Sequence, residues 1–224
     1  MPARPGDGPA AGIRAQRAGP WPEAEAVEHH RLKEIELLLQ RQVDGVQGGY
    51  TAVQELLRHG HRRIGFLNNV DDIPATHGRL AGYRQALAEA GVVFDPGLVV
   101  TDTSDAAGGY RAARGLLQAA ERPTALFCFT DRMAMGAYHA AAQLGLSIPA
   151  DLSVIGFDNQ ELICDGMFPG LTTVALPHYE MRARAVVQLL SLTGARDRGT
   201  GSVAQEMLPC PLVARASVAS PPRL

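Results

Sequence analysis

Residues 123–159 read PTALFCFTDRMAMGAYHAAAQLGLSIPADLSVIGFDN, and this stretch decides the fold. Its two apolar runs, ALFCF and LSVIGF, have the length and the composition of buried strands. The segment RMAMGAYHAAAQLG between them has apolar side chains at helical spacing and ends on a glycine, as helices commonly do. The order strand, helix, strand is typical of a right-handed crossover in a parallel sheet, so the sequence predicts an α/β fold.

The same alternation continues on both sides of this stretch. Gly60 and Gly91 are predicted to end two of the flanking helices. Further strands are predicted at 62–67, 97–102 and 171–176, and further helices at 48–60, 79–91, 108–120 and 178–192. Strands that alternate with helices of about 10 to 15 residues indicate a parallel sheet that is covered by helices.

Polar residues stand where three of the predicted strands end. Asp102 ends VVTD, Asp131 follows ALFCFT, and Asp158 ends SVIGFD. Ligands of open parallel sheets bind in the crevice beyond the carboxyl ends of the strands. We therefore expect these side chains to face one cleft that binds a small molecule.

The composition argues against several classes of protein. The chain has 224 residues, of which 46% are hydrophobic and 20% are charged, as in ordinary globular proteins. A formal net charge of -2 and a pI near 6.4 lack the basic character of nucleic-acid binders. No apolar run approaches the ~20 residues of a membrane helix, and the N-terminus lacks the apolar segment of a secretory signal. We expect a cytoplasmic protein without membrane contact.

No residue pattern indicates catalysis, a cofactor or a metal. Cys128, Cys164 and Cys210 are odd in number and far apart, which favours neither a disulfide framework nor a zinc site. The sequence contains no P-loop, G-x-S-x-G, HExxH or dinucleotide fingerprint, so an enzyme is not expected. The Arg and His cluster at 58–63 is interpreted as the end of a helix, where cations complement the helix dipole, and not as a nucleic-acid contact.

Five segments, taken in order, resemble the effector-binding core of LacI/GalR-type transcriptional repressors. They are GGYTAVQELLRHGHRRIGF, RLAGYRQALAEAG, RPTALFCFTDRMAMGAYHAAAQLGLSIPADLSVIGFDN, LTTVALPHYEMRARAVVQLL and LVARAS, within residues 48–217. The resemblance implies a periplasmic-binding-protein-like fold, in which two α/β lobes with parallel sheets close around a cleft on a small-molecule effector. It also implies a homodimer and, in the family, an N-terminal helix-turn-helix that binds DNA.

The N-terminal part departs from the family pattern. Residues 1–28 show no paired helices and no basic recognition helix, so DNA is expected to be bound only through a helix-turn-helix that is absent from this chain. We interpret 1–28 as a disordered tail, 29–78 with 171–224 as an incomplete N-terminal lobe, and 79–170 as the C-terminal lobe. Gln47 is interpreted as the junction of a deletion, which would leave apolar residues such as Val46, Ile64 and Phe66 uncovered.

The resemblance also implies which side chains bind the effector. Asp158 resembles a carboxylate that accepts hydrogen bonds from the ligand, and Arg79 an arginine that reaches into the cleft. Further candidates at strand ends are Thr130, Asp102, Thr103 and Asn68 with its neighbour Asn69. The alternatives are a turn residue at Asp158 and a solvated first-turn residue at Arg79, and Asp131 is predicted to be a helix N-cap.

These patterns favour the effector-sensing core of a LacI-like transcriptional regulator. The alternative is a cytoplasmic small-molecule binding protein of the same fold without DNA-binding output. A sugar-modifying enzyme is a third hypothesis, which the lack of catalytic motifs disfavours. The effector is expected to be sugar-like, but purines and other small polar molecules stay open, because aromatic residues make up only 5% of the chain.

Overall fold

The described part of the chain in the computed structural model comprises residues 43–184, residue 186 and residues 207–222, and its strands form one six-stranded sheet. In chain order they are β1 (Ile64–Asn69), β2 (Val99–Asp102), β3 (Ala125–Cys128), β4 (Ser153–Asp158), β5 (Thr172–Ala175) and β6 (Leu212–Val213). The helices are α1 (Gly45–Arg58), α2 (Pro74–Glu89), α3 (Ala106–Leu117), α4 (Asp131–Gln143) and the short α5 (Glu161–Cys164), and residues 178–184 of the helix predicted at 178–192 are also helical. A single 3-10 turn, Pro96–Leu98, precedes β2.

The order of the strands in the sheet is β2-β1-β3-β4-β5-β6. The first five strands in the chain pair in parallel, and β6 pairs antiparallel with β5 at one edge. The chain steps from β1 to β2 in one direction and then returns past β1 to β3, so the direction reverses between β1 and β3. The crevice beyond the carboxyl ends of the strands at such a reversal is where open α/β sheets bind ligands. The predicted α/β class with a parallel sheet is confirmed.

Helices cover both faces of the sheet. Right-handed crossovers place α2 on one face and α3 with α4 on the other, and α1 packs against α2. On the first face, Phe66 of β1 stacks on Tyr83 of α2 with ring centroids 5.5 Å apart. On the second face, a Cβ added at Gly65 of β1 would lie 2.9 Å from Leu116 of α3. Because both faces are covered, the central strands are continuous apolar runs in the sequence.

Side chains and glycines at the helix ends explain where several helices begin and stop. Asp44 and Asp105 precede α1 and α3, and each carboxylate accepts a hydrogen bond from the backbone N–H three residues further on, at 2.8 and 2.7 Å. Gly60 and Gly91 follow α1 and α2 with φ angles of 99° and 66°. This left-handed conformation suits glycine and ends a helix, which confirms the two predicted helix ends.

Three phenylalanine rings join the central strands in the core. Phe66 of β1 and Phe127 of β3 stack with centroids 4.6 Å apart, and Phe157 of β4 lies 6.5 Å from Phe127. All three side chains are fully buried. Burying such a side chain stabilises a fold by about 1.5 to 3 kcal/mol, so β1, β3 and β4 are held together by one hydrophobic core.

The predicted assignment of residues 29–78 and 79–170 to different lobes is wrong for the described strands. β1 pairs with β3 in a register that runs from Ile64 opposite Ala125 to Leu67 opposite Cys128, so β1 lies inside the same sheet. β5, which was also predicted in the N-terminal lobe, pairs with β4. Local periodicity identifies a strand but does not show which strand it pairs with. The tail predicted at 1–28 lies outside the described residues.

One expected consequence of a deletion at Gln47, uncovered apolar residues on β1, is also wrong. Gln47 lies in the first turn of α1, which runs without a break through Gly45–Arg58. Ile64 and Phe66 are buried, because helices cover the faces of β1 that were expected to be open. Only Val46 of the residues expected to be uncovered is partly exposed, at 39%.

The C-terminal segment 207–222 is fastened to the sheet by buried hydrogen bonds. The hydroxyl of Ser217 donates to the carbonyl of Val154 at 2.6 Å and accepts from a backbone N–H of β5 at 2.8 Å. His61, from the Arg and His cluster, is buried, and its Nε2 lies 2.8 Å from the carbonyl oxygen of Ala219. Burial lowers the pKa of His61, although the bond to Ala219 opposes this, so the neutral ring is favoured. At this position the cluster has a structural role.

Candidate functional site

A cavity of about 590 Å³ opens beyond the carboxyl ends of the central strands. Its wall includes Asn69 at the end of β1, Phe129 and Thr130 directly after β3, and Phe157 and Asp158 at the end of β4. The N-terminal turns of α1 and α2 also line it, together with residues from the loops after β1 and β2 and from the segment after β5. The volume lies within the roughly 300 to 1,000 Å³ of small-molecule sites, and the position is the predicted one.

Arg79 is fixed in the wall of this cavity. Helix α2 carries it, and only 6% of its side chain is exposed. The guanidinium carbon lies 3.6 Å from the ring centroid of Phe157 and 4.1 Å from that of Phe129. An Nη1 hydrogen bond to the backbone carbonyl of Phe129 adds to these cation-π contacts, which are worth about 2 kcal/mol when desolvated. Burial lowers the pKa of Arg79 and the charge of Asp158 opposes this. The alternative of a solvated first-turn residue is therefore wrong.

Part of the donor capacity of Arg79 is unused. Within the described residues its buried Nε has no hydrogen-bond partner. Its Nη2 lies 3.7 Å from Oδ1 of Asp158, which is longer than a hydrogen bond. Leaving a buried donor unpaired costs about 1 to 3 kcal/mol. The hydrogen-bonding capacity of the guanidinium is thus only partly satisfied within the described residues.

Asp158 occupies a strained backbone position at the end of β4. Its φ is 112° and that of Asn159 is 54°, values that residues other than glycine seldom adopt. Strain of this kind concentrates at binding sites, where the surrounding structure enforces it. The carboxylate is 13% exposed at its side chain and accepts a hydrogen bond from Nε2 of Gln160 at 3.3 Å. Burial raises the pKa of Asp158 to about 7; the charge of Arg79 opposes the shift and that of Asp131 adds to it.

Thr130 lines the cavity, but its hydroxyl has structural partners. It accepts a hydrogen bond from the backbone N–H of Met133 at 3.2 Å and donates to the carbonyl of Ser104 at 3.1 Å. Thr130 is therefore the N-cap of α4, and the prediction that Asp131 is the N-cap is wrong. Asp131 is buried and accepts hydrogen bonds from the Thr173 hydroxyl at 2.6 Å and the Gln160 backbone N–H at 2.7 Å.

Asp102, Thr103 and Asn68 do not line the cavity. Asp102 instead accepts a hydrogen bond from Nε of Arg111 at 3.0 Å and one from the backbone N–H of Thr103 at 2.7 Å. Asn68 is buried, and its Oδ1 accepts from the backbone N–H of Asn69 at 2.9 Å. Successive side chains of a strand point to opposite sides, so a shift of one residue at a strand end moves a side chain out of the site.

The family model of the periplasmic binding protein-like domain matches residues 53–218. The chain belongs to this family. A LacI-family regulatory protein from Chloroflexus aggregans has a TM-score of 0.70 and 31% identity, over 79% of this chain and 62% of that chain. A LacI-family regulator from Enterococcus faecium with bound ribose has a TM-score of 0.72 and 30% identity, over 80% of this chain and 64% of that chain.

Relatives known by sequence are transcriptional repressors. The HTH-type transcriptional repressor CytR of Escherichia coli (strain K12) is 38% identical over 182 residues, which are 80% of this chain and 52% of CytR. The ribose operon repressor of Haemophilus influenzae is 41% identical over 143 residues, which are 64% of this chain and 43% of the repressor. The chain spans about half the length of these relatives. The predicted resemblance to a LacI-type effector-binding core is confirmed.

The wall of this LacI-type core includes polar residues that the sequence did not single out. They are Asp44, Asp71, Ser104 and His178. Ser104 directly follows the predicted candidate Thr103, and Asp71 lies in the loop after β1, so each is close to a predicted strand end. Asp44 was not predicted, because the nearby Gln47 was interpreted as the junction of a deletion. The signal that could have identified Asp44 is an aspartate at the N-cap position, directly before a helix that begins with several glycines.

Metal and membrane sites are not found in the described part of the chain. No group of three or more His, Cys, Asp or Glu side chains there could hold a metal ion. None of the helices described is long and apolar enough to cross a membrane.

The raised pKa of Asp158 predicts a pH dependence of stability. Because the folded protein holds the proton more tightly than the unfolded chain, Asp158 contributes stability at low pH that is lost as pH rises from about 4 to about 7. In Asp158→Asn, which mimics the protonated side chain, this loss should be missing. Urea unfolding from pH 4 to pH 8 measures the free energy of unfolding of both proteins. Subtracting one profile from the other removes the contribution of the other titrating groups, which the two proteins share. Parallel pH profiles would contradict the burial of a titrating Asp158.

Proposed function

We propose that this chain is the effector-sensing core of a LacI-type transcriptional repressor, and that its effector is a small polar molecule that Arg79 and Asp158 bind together. The observation that carries the proposal is the cavity at the carboxyl ends of the strands, in which a buried, partly unpaired guanidinium faces a carboxylate. The relatives support it, since CytR and the ribose operon repressor are repressors by name.

The two charged side chains offer complementary hydrogen-bonding groups to one ligand. Arg79 presents fixed N–H donors, while the carboxylate of Asp158 accepts only one side-chain hydrogen bond, from Gln160. A ligand that carries both acceptors and donors on neighbouring atoms, such as the hydroxyls of a sugar, matches this pair. The ribose-bound relative from Enterococcus faecium is consistent with a sugar-like effector.

Regulation would follow from a difference in effector affinity between two states of the whole repressor. The resemblance implies that an effector closes two lobes and thereby changes the geometry in which helix-turn-helix domains bind DNA. Such coupling typically amounts to about 1 to 3 kcal/mol. The described residues form one sheet with the cavity at its carboxyl end, which supplies the effector-binding half of this mechanism.

A homodimer is proposed from an exposed apolar surface. Leu162 and Phe168 are 97% and 92% exposed, and Met135 of α4 is 41% exposed. The Tyr138 hydroxyl donates to the Pro169 carbonyl at 3.0 Å, which holds the loop with Phe168 beside α4. Large apolar side chains exposed to this extent are found at protein interfaces. Sedimentation equilibrium should show a dimer, and a monomer at all concentrations would contradict the proposal.

The same site also fits a cytoplasmic small-molecule binding protein without DNA-binding output. Neither this protein nor the repressor core would be an enzyme. A thermal-shift screen tests the binding function shared by both. The panel is D-ribose, cellobiose, other pentoses and hexoses, and the free nucleobases. A compound at 100 times its dissociation constant should stabilise the protein by about 2.7 kcal/mol. Absence of any shift across the panel at millimolar concentrations would contradict a sugar-like or nucleobase effector.

A further inference from the structure

Carboxylates outnumber cationic groups in the described wall of the cavity. Asp44, Asp71 and Asp158 line the cavity, and the basic side chains beside them are Arg79 and His178. When histidine is counted as neutral, three negative charges face one positive charge. Arg79 and Asp158 account for one charge of each sign, so the other two carboxylates leave the described wall with an excess of negative charge.

The N-terminus of α1 faces the cavity and already holds a carboxylate. Gly45 and Val46 of α1 line the cavity together with the N-cap residue Asp44. Helix N-termini bind anions, because their free N–H groups and the helix dipole favour negative charge. In α1 this place is taken by Oδ1 of Asp44, which accepts the N–H of Gln47 at 2.8 Å. A phosphate group at this helix end would therefore meet a negative charge of the protein itself.

The three long helices that follow the strands also begin close to a carboxylate. Asp71 lies two residues before Ile73, the N-cap of α2. Asp105 is the N-cap of α3, and Asp131 lies in the first turn of α4. Because these helices follow β1, β2 and β3, they begin at the carboxyl edge of the sheet, where the cavity lies. The positive ends of their dipoles are thus offset by side chains of the chain and offer little attraction to an anionic ligand.

Two of the wall carboxylates act on the same buried side chain. Cys210 is fully buried. Burial raises the pKa of its thiol to about 12, and the charges of Asp44 and Asp158 add to the shift. The charge of Arg79 opposes it. Because both carboxylates act on one thiol, an anion in the cavity beside them would be repelled by both charges.

Uncharged and anionic ligands would form different hydrogen bonds with this wall. Carboxylate oxygens only accept hydrogen bonds, so they need donors such as the hydroxyl or N–H groups of a ligand. A sugar or a nucleoside supplies such donors. A phosphate group at pH 7 is mostly a dianion, and its oxygens could donate to neither Asp44 nor Asp71. Like charges that face each other across an interface also oppose binding.

We propose that the cavity selects uncharged effectors and excludes anionic ones such as phosphate esters, and that Asp44 and Asp71 are the residues that set this selectivity. The proposal rests on the proposed function, because it concerns the same cavity. It narrows the class of effector from small polar molecules to uncharged ones. The chain would thus distinguish a compound from its phosphorylated product.

The test compares matched pairs of compounds on the full chain by isothermal titration calorimetry. The pairs are D-ribose, D-glucose, D-fructose and adenosine, each with its phosphate monoester. For every uncharged compound that binds, we expect its ester to bind about 100-fold more weakly or worse. An ester that binds at least as tightly as its uncharged partner would overturn the proposed selectivity.

Substitutions in the wall separate the effect of charge from that of size. Asp44→Asn removes a negative charge but keeps the shape and the helix cap, since asparagine caps helices as well as aspartate does. It should narrow the difference in affinity within a pair by about 3- to 10-fold, because one repulsion is removed. Asp71→Asn should narrow it by less, since Asp71 is exposed and salt screens its charge. If size alone excludes the ester, neither substitution changes the ratio, and the role of the two aspartates is overturned.

Asp72→Asn is the matched control for net charge. Asp72 follows Asp71 in the same loop, is not part of the described cavity wall and pairs with the exposed His77. The variant changes the net charge by the same amount as Asp44→Asn and should leave the affinity ratio unchanged. A narrowing as large as that of Asp44→Asn would show that the overall charge sets the selectivity, which would overturn the role of the wall.

The outcomes distinguish this proposal from the proposed function. If an uncharged compound and its ester bind equally well, the cavity remains an effector site and only the charge selectivity is overturned. If neither the uncharged compounds nor the esters bind, the proposed function fails and the selectivity fails with it.

Discussion

Gly82→Ala is expected to destabilise the protein by about 3 kcal/mol or more. Alanine is the better helix former by about 1 kcal/mol, so an increase in stability would be expected from α2 alone. The added Cβ, however, would lie 2.1 Å from the carbonyl oxygen of Val46 and 2.5 Å from the nitrogen of Tyr50. Both are backbone atoms of α1, and they cannot move without separating α1 from α2. The cost of overpacking therefore exceeds the gain in propensity.

The matched control is Gly115→Ala in α3, at a position where an added Cβ meets no atom within 4 Å. It should stabilise the protein by about 0.5 to 1 kcal/mol, because only the helix propensity changes. Urea unfolding monitored by circular dichroism measures both variants. Equal stability of Gly82→Ala and the original protein would show that α1 and α2 do not cross as closely as described.

Asp131→Ala is expected to lower the free energy of unfolding by about 3 kcal/mol. The carboxylate is buried and joins three parts of the fold, since it begins α4 and accepts from the Thr173 hydroxyl in β5 and the Gln160 N–H ahead of α5. Burial raises the pKa of Asp131, and the bonds from Thr173 and Gln160 oppose this. Alanine would remove the cost of burying a carboxylate, but it would leave the Thr173 hydroxyl and the Gln160 N–H without their acceptor. The loss of these two hydrogen bonds exceeds the gain.

Asp102→Ala is the control, because Asp102 also stands at a strand end and is hydrogen-bonded. Its ion pair with Arg111 is exposed, with 55% of the arginine side chain accessible to solvent. Such pairs contribute at most about 1 kcal/mol, so Asp102→Ala should unfold at nearly the original urea concentration. Similar losses in the two variants would refute the special role of Asp131.

The sequence was sufficient for the elements and for the location of the site. Apolar runs such as ALFCF at 125–129 predicted the buried strands, and polar residues after them predicted a cleft at their carboxyl ends. Both features are local, because an apolar run and the polar residue that follows it lie within a few positions of each other in the sequence. Arg79 and Asp158 line the cavity as expected from the resemblance. Their roles in binding stay predictions.

Features that depend on distant contacts could not be predicted in the same way. β1 was assigned to another lobe because nothing in Ile64–Asn69 states that its partner is Ala125–Cys128. Asp131 was predicted as an N-cap from its place before a helix, whereas its partners are Thr173 and Gln160. Both errors concern pairings between residues about 30 or more positions apart, which only the folded chain brings together.

The most direct measurement is a calorimetric titration of the panel compound that gives the largest thermal shift, with the original protein and Asp158→Asn side by side. Asparagine keeps the shape of the side chain but replaces one acceptor oxygen with an NH₂ donor. Losing a hydrogen bond to a charged group should weaken binding about 10- to 150-fold, or by about 1.5 to 3 kcal/mol, while the fold remains intact. An unchanged dissociation constant for Asp158→Asn would contradict the assignment of this cavity as the effector site.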